Sequence, residues 1–551
     1  MRGSGHSGRD AHPRGPLFGR IGPIRAGTCF PPPAYFNSTT QPPAERHPEE
    51  IDVDPRGVRG TSFEGSVGGD PLEMKKTLPV ITSLVLFNLV AWPLAGHAQV
   101  EGSLSPEVDA LFQPWDSPES PGAAVLIVEK GEVVHARGYG MADLEHGAPI
   151  TTRTVFDVAS LAKQFAAMAV AMLAEEGVLD LDDDVRHHIP ELPDFGETIT
   201  LRHLIHHTSG LRDWPQTLIL AGWSFEDRIS LDQILRMVGA QEDLNFPPGD
   251  QYAYSNTGYN LLAEVVARTS GQSFRDFSEA RIFTPLGMTR TRVQDDLGEV
   301  VPNRADSYEP GADGGFRRIP SSLTAPGSSS LLTTVEDLAL WIQNFQAPVI
   351  GGAEVMETIH GQGILNSRDT IDYAFGQEAR QHRGLRMFSH GGAWAGYRST
   401  LKRLPDQDFA VVILANSSTM IPPHLAYSII DLYLADELAP LTVGSGNSSS
   451  QGGSTAEGQA PWAPAPEELG EYTGTYESPE LRTRWRLELS GNQLVARHLR
   501  ADEQLLHPLA PDRFLGYAFG EIRFLRDNEG RIDRFTANSQ RVQGLRFHRV
   551  P

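Results

Sequence analysis

Phe156-Asp-Val-Ala-Ser160-Leu-Ala-Lys163-Gln-Phe-Ala-Ala-Met-Ala-Val170 sets a serine three residues ahead of a lysine, at the head of an apolar helical run. A serine hydroxyl is a poor nucleophile until a base takes its proton. One helical turn separates positions i and i+3, so the Lys163 amine can return beside Ser160. A helix N-terminus also offers unpaired N–H groups to negative charge developing nearby. Lysine is scarce enough to single this one out: beyond residue 98 the chain has only Lys130, Lys163 and Lys402.

Working outward, Gly122-Ala-Ala-Val-Leu-Ile-Val-Glu and Glu132-Val-Val-His-Ala-Arg-Gly-Tyr-Gly read as two strands around a Lys130-Gly131 turn. Residues 160–176 read as a helix stopped by Gly177. Helical patterns then dominate to about residue 345, broken by loops such as Phe246-Pro-Pro-Gly-Asp250. Strand character returns at Arg386-Met-Phe-Ser-His390, Arg398-Ser-Thr-Leu-Lys-Arg and Phe409-Ala-Val-Val-Ile-Leu-Ala, followed by a helix over 424–438. Strands at both ends of a helical middle predict an α/β fold: one antiparallel sheet flanked by helices, with a helical subdomain inserted. A Gly/Ser and Pro/Ala tract at 443–465 reads as a flexible linker. Beyond it, eight short segments from Tyr472 to His548 alternate with period two, the pattern of a small antiparallel barrel or sandwich at 466–551.

Two further segments carry chemistry-bearing side chains. Tyr252-Ala-Tyr254-Ser-Asn256 follows a Pro-Pro-Gly loop and precedes an amphipathic helix, which puts Tyr254 in a connecting segment. Phe388-Ser-His390-Gly391-Gly392-Ala393-Trp394 lies on an expected sheet strand. Other candidates read as structural. His187-His188 and His206-His207 are adjacent pairs that share no helix face and lack a His-Glu-x-x-His spacing, so no metal is expected there. Asp182-Asp-Asp184 reads as a solvated turn, and Trp394 either as core or as a wall of the substrate cleft. No Gly-x-Ser-x-Gly elbow occurs after residue 98, which excludes an ordinary α/β-hydrolase.

In that order the segments resemble the serine β-lactamase/penicillin-binding protein superfamily, in particular its class C-like branch of β-lactamases, D-aminopeptidases and family VIII esterases. The resemblance spans residues 105–440. It includes His207-Thr-Ser-Gly-Leu211, Pro248-Gly249 ahead of Tyr254-Ser-Asn256, Pro285-Leu-Gly-Met288, and Thr334-Val-Glu-Asp-Leu338 after a Gly/Ser run. It implies a β-lactamase/transpeptidase-like fold over 99–442. Ser160 is then the acylating nucleophile, Lys163 manages its proton, and Tyr254 is the partner base and acid, its anion favoured by neighbouring ammonium charge. Asn256 holds the substrate amide or the lysine, and the Ser160 and Ala393 main-chain N–H groups form the oxyanion hole. Dedicated β-lactamases have Lys-Thr-Gly where this chain has His390-Gly391-Gly392. Histidine titrates near neutrality whereas lysine is a lasting cation, which favours an ester, amide or non-anionic peptide over a β-lactam or D-Ala carboxylate. The C-terminal β segment resembles the lipocalin-like tails of D-aminopeptidase relatives, and none of its residues reads as catalytic.

Residues 1–73 are rich in Gly, Pro and Arg, hold the only cysteine, Cys29, and show no apolar periodicity. Met74-Lys-Lys-Thr, the apolar run 78–94 and Gly96-His-Ala98 read as a secretory signal over 74–98, with 1–73 expected to be an over-extended start; the alternative reading is a disordered extension ahead of an uncleaved anchor helix. The mature chain then has no cysteine, which closes thiol nucleophile and disulfide readings, and suits a periplasmic or secreted bacterial protein. Residues 99–460 carry 24 basic against 48 acidic side chains, whereas 461–551 carry 13 of each. So acidic a surface repels phosphate backbones, so no nucleic-acid partner is expected. The expectation is an exported serine hydrolase with no metal or organic cofactor and no membrane span after signal cleavage, acting on a small ester, amide or peptide. Its rivals are a β-lactamase or D,D-carboxypeptidase, and an inactive penicillin-binding-like scaffold; the sequence leaves the oligomeric state open.

Overall fold

Ala123-Ala-Val-Leu-Ile-Val-Glu129 is apolar at every position but its last because both of its faces are covered. Ala124, Leu126 and Val128 enter one core while Ala123, Val125 and Ile127 enter another. A computed structural model describes residues 99–440 and 462–551 and makes this segment strand β1 (Ala123–Glu129). It turns into β2 (Glu132–Tyr139) through Lys130 and Gly131, whose φ values of 53° and 78° are the left-handed pair of a type I′ hairpin. The other edge of β1 is closed from far down the chain. Ala123 pairs with Ala415 and Glu129 with Phe409 on β6 (Phe409–Ala415). With β3 (Glu378–His382), β4 (Leu385–Trp394) and β5 (Tyr397–Leu404) the sheet is antiparallel throughout, in the order β3-β4-β5-β6-β1-β2.

On one face lies helix α1 (Ala162–Glu175), buried from Ala162 to Leu173. A helix apolar all round must sit inside the molecule, and five alanines between 162 and 171 let its neighbours approach. The expected helix starts at Ser160, but the structure makes Ala159–Leu161 a separate 3₁₀ turn. Ala159 has φ 47°, a left-handed conformation costly for a residue with a Cβ, and the Asp157 carboxylate accepts its N–H at 2.9 Å. Two more helices frame the site. In α2 (Trp214–Leu220) Pro215 sits in the first turn, and α3 (Asn256–Ser270) is capped by the Ser255 hydroxyl, which accepts from Gly258. The opposite sheet face is covered by α4 (Pro422–Tyr433) through Ile429 and Ile430; it starts earlier and stops sooner than the expected 424–438.

The eight alternating C-terminal segments form a closed barrel, not a sandwich: β7 (Gly474–Ser478), β8 (Thr483–Ser490), β9 (Gln493–Arg497), β10 (Gln504–Ala510), β11 (Arg513–Gly516), β12 (Gly520–Arg526), β13 (Ile532–Asn538) and β14 (Leu545–Val550). β14 closes on β7, which removes the free edges an open sheet would leave. Its core of Trp485, Phe514, Phe519, Phe535 and Phe547 also takes in Leu220 at the end of α2, whose carbonyl accepts from Trp485 Nε1 at 2.8 Å. These residues all belong to the unit Ala91–Pro551. The expected extension (1–73), the signal (74–98) and most of the expected linker (443–461) lie outside the described residues. Among the described residues, no helix is long and apolar enough to cross a membrane.

Candidate active site

Ser160 and Lys163 converge with Tyr254 and Asn256 from two separate segments. The first turn of α1 brings Lys163 Nζ to 3.0 Å from Ser160 Oγ, and the fully buried amine meets two more acceptors, Asn256 Oδ1 at 2.7 Å and the Ser328 carbonyl at 2.8 Å. Burial holds this amine well below the ordinary lysine range, with nearby Asp213 opposing the shift and Arg541 adding to it. A neutral amine has two N–H donors and one lone pair. With Asn256 Oδ1 and Ser328 O taking two donors, the third position of Nζ faces Ser160 Oγ: protonated, it donates there, and deprotonated, it turns its lone pair to the hydroxyl proton.

The Asn256 amide is not free to flip. Its Nδ2 donates to Asp213 at 3.0 and 3.3 Å and its backbone N–H, at the head of α3, donates to Asp213 Oδ1 at 2.7 Å, so Oδ1 must face Lys163. The sequence reading missed Asp213. Its only sequence signal is a charged pair, Arg212-Asp213, between Leu211 and Trp214, directly after the His207-Thr-Ser-Gly-Leu211 block.

Tyr254 hydrogen-bonds the Ser160 side chain, and Lys163 Nζ lies 4.9 Å from its ring centroid. Burial pushes its phenol upward, so Tyr254 stands here as a neutral O–H rather than the anion expected from an adjacent ammonium. Burial explains the difference: it outweighs the Ser160 hydrogen bond and the Arg541 charge, which both pull the phenol down.

His390 also departs from expectation. Its Nδ1 donates to the Gly391 carbonyl at 2.6 Å and its Nε2 accepts from the Tyr373 hydroxyl at 3.0 Å. Burial pushes its pKa down to about 3, so the ring is neutral and does not titrate near pH 7. Beyond Ser389, β4 has no β3 partner, so the edge at Gly391, Gly392 and Ala393 stays open while β5 holds the other side. Gly392 brings that strand against the Ser160 turn. A Cβ there would lie 2.2 Å from the Val158 carbonyl, 2.4 Å from Ser399 Oγ and 3.1 Å from the Ser160 nitrogen. Gly392→Ala must therefore push β4 away, and its acylation rate is expected to fall about 10²-fold, the loss typical of one misplaced oxyanion donor. Stopped-flow hydrolysis of p-nitrophenyl acetate reads this directly.

The remaining singled-out residues pack. Both ring nitrogens of His206 meet backbone carbonyls, those of Arg202 and Gly361. His207 Nδ1 accepts the Ser255 N–H, and its ring lies among Tyr252, Tyr254, Tyr259 and Tyr373. Asp182 pairs with Arg202, and Asp183 with His188. Trp394 rests on Trp214 and Phe225. Among the described residues, no three His, Cys, Asp or Glu side chains converge as metal ligands would.

The Beta-lactamase family model matches residues 108–433, and the chain belongs to that family. Penicillin-binding protein 4* of Bacillus subtilis is 31% identical over 332 residues, covering 56% of this chain and 71% of the relative. The D-aminopeptidase of Gluconobacter oxydans is 27% identical over 296 residues, 54% of this chain and 56% of the relative, so the chain spans little more than half of that protein. An octameric penicillin-binding protein homologue from Pyrococcus abyssi has the same fold at TM-score 0.54 and 22% identity, covering 80% of this chain and 99% of its own. FmtA from Staphylococcus aureus superposes at TM-score 0.53 with 21% identity, over 64% of this chain and 95% of its own. The chain is a serine hydrolase of the β-lactamase-related type.

Proposed function

We propose that this protein is an exported serine hydrolase that works through a Ser160 acyl-enzyme on an ester, amide or D-amino-acid peptide. The observation that carries this is the buried Lys163 amine, held by Asn256 Oδ1 and the Ser328 carbonyl at 3.0 Å from Ser160 Oγ. In the first step Lys163 takes the hydroxyl proton as Oγ adds to the acyl carbon, and the oxyanion falls to the N–H groups of Ser160 and Ala393. Lys163 then returns the proton through the Tyr254 phenol to the departing alcohol or amine. Water enters by the same route in reverse and releases the acid. Export rests on the Met74-Lys-Lys-Thr to Ala98 stretch, and a periplasmic or secreted location follows from it.

A second reading has an observation of its own. Neutral His390 supplies no cation, but the half-exposed Arg541 guanidinium sits 4.9 Å from the Tyr254 ring. A cation there favours an anionic substrate, the β-lactam or D,D-peptide class. Intact-mass spectrometry of residues 99–551 separates the two. A fluorophosphonate should leave one phosphonyl adduct with loss of fluoride, absent in Ser160→Ala. A penicillin adduct on the same serine would move the substrate to the second reading. No adduct from either reagent would refute the acyl-enzyme and leave the inactive-scaffold alternative.

A further inference from the structure

The barrel enters the hydrolase site through the turn between β13 and β14. The Arg541 carbonyl accepts the Asp213 N–H at 3.1 Å and the Asn245 side-chain amide at 3.0 Å. Gln543 donates its N–H to Asn245 Oδ1 at 2.8 Å, and its carbonyl accepts from Arg212 at 3.2 Å. Four hydrogen bonds thus fix the turn's backbone. They aim the Arg541 side chain so that Nη1 lies 3.0 Å from Asp213 Oδ2 and the guanidinium carbon stands over the Tyr254 ring. Asp213 is 1% exposed while Arg541 stays half-exposed, so the guanidinium caps a buried carboxylate from the solvent side.

We infer that Arg541 is a positioning residue for the hydrolysis: by pairing with Asp213 it holds the carboxylate that orients Asn256 towards Lys163, so the active site is complete only with the barrel in place. This rests on the proposed roles of Ser160 and Lys163. The contacts form one line, from Arg541 to Asp213, Asn256, Lys163 and Ser160. The groups facing Lys163 decide the sign. Tyr254 and Tyr259 are neutral phenols raised by burial, and His207 and His390 are neutral rings lowered by it. Asp213 raises the lysine's proton affinity and Arg541 lowers it. Without Arg541 the buried negative charge of Asp213 has Lys163 as its remaining cation, and a protonated Lys163 cannot take the serine proton.

The test is the pH dependence of fluorophosphonate acylation at Ser160 in the full chain. Arg541→Met should move the acid limb to higher pH. One unit below the wild-type midpoint the loss should be about tenfold, with the alkaline plateau near wild type. Arg541→Lys should restore much of the limb. Adding Asp213→Asn to Arg541→Met removes the uncompensated charge, leaves an oxygen for Asn256, and should return the limb to its wild-type position. If Arg541→Met fails to fold, Asp213→Asn alone carries the test, because its limb should move to lower pH. An unmoved limb in these variants overturns the inference, as does a loss confined to anionic substrates. Failure of the underlying reading looks different: the unaltered protein would then take no adduct on Ser160 at any pH.

Discussion

Lys163→Met is expected to slow acylation of Ser160 by about 10²- to 10⁴-fold, the range for loss of a positioned general base. Methionine has a similar unbranched stem, so it can occupy the same buried channel beside the rings of Tyr254 and Tyr259. What it removes is the lone pair, together with the two hydrogen bonds given to Asn256 and Ser328. The remaining rate should also lose its acid limb. A base whose pKa is depressed by burial is protonated only at low pH, so the wild-type rate rises with pH through that value and then levels off. Without the amine, no group at that position titrates. Timed labelling by a fluorophosphonate across pH reads both effects, with a thermal melt as the check on folding. If Tyr254 rather than Lys163 takes the proton, Lys163→Met keeps most of its rate and Tyr254→Phe loses it.

The backbone architecture was legible because local pattern dictates it. The unbroken apolar run at 123–128, short and ended by the Lys130-Gly131 turn, reads as a strand covered on both faces, and the eight alternating C-terminal segments read as a barrel or a sandwich. The clustering of these four residues was legible from motif order, since Ser160 lies three residues before Lys163 at the head of α1 and Tyr254 and Asn256 flank the Ser255 cap. Burial was not legible. Whether His390 is a cation or a neutral ring depends on the Tyr373 hydroxyl and the Gly391 carbonyl, and nothing in a His-Gly-Gly triplet specifies either contact. The Tyr254 phenol misled for the same reason, because burial sets its state. Ala159 gave no sign of its left-handed conformation, because that conformation is imposed by Asp157 and the packed turn around it. Arg541 was out of reach altogether. It lies 328 positions from Asp213, in a hairpin turn whose sequence resembles that of any exposed barrel loop.

Glu480→Gln should destabilise the folded chain by about 3–5 kcal/mol, the cost of leaving one member of a buried ion pair without its partner. Glu480 sits in the turn between β7 and β8, and its carboxylate accepts from Arg212 Nη1 at 2.5 Å with the two side chains only 6% and 2% exposed. Burial pushes the Glu480 carboxyl upward and Arg212 pulls it back, the signature of a charge held in place by its partner alone. Glutamine preserves the shape and leaves the guanidinium charge stranded. The effect should not stay local. Arg212 precedes Asp213, its carbonyl accepts the Thr257 hydroxyl in the first turn of α3, and Thr257 in turn accepts the Trp214 N–H. Loosening Arg212 therefore loosens the loop that holds Asn256 against Lys163. Urea unfolding should show a lower midpoint, and hydrogen exchange should show earlier opening of both the β7–β8 turn and residues 208–214. Replacing both partners, Arg212→Met with Glu480→Leu, removes the stranded charge and should recover much of the stability. Recovered stability with acylation still slow would mean that Arg212 acts on the site through Asp213 as well as on the fold. Recovery of both would mean that holding the barrel against the hydrolase body is all this pair does.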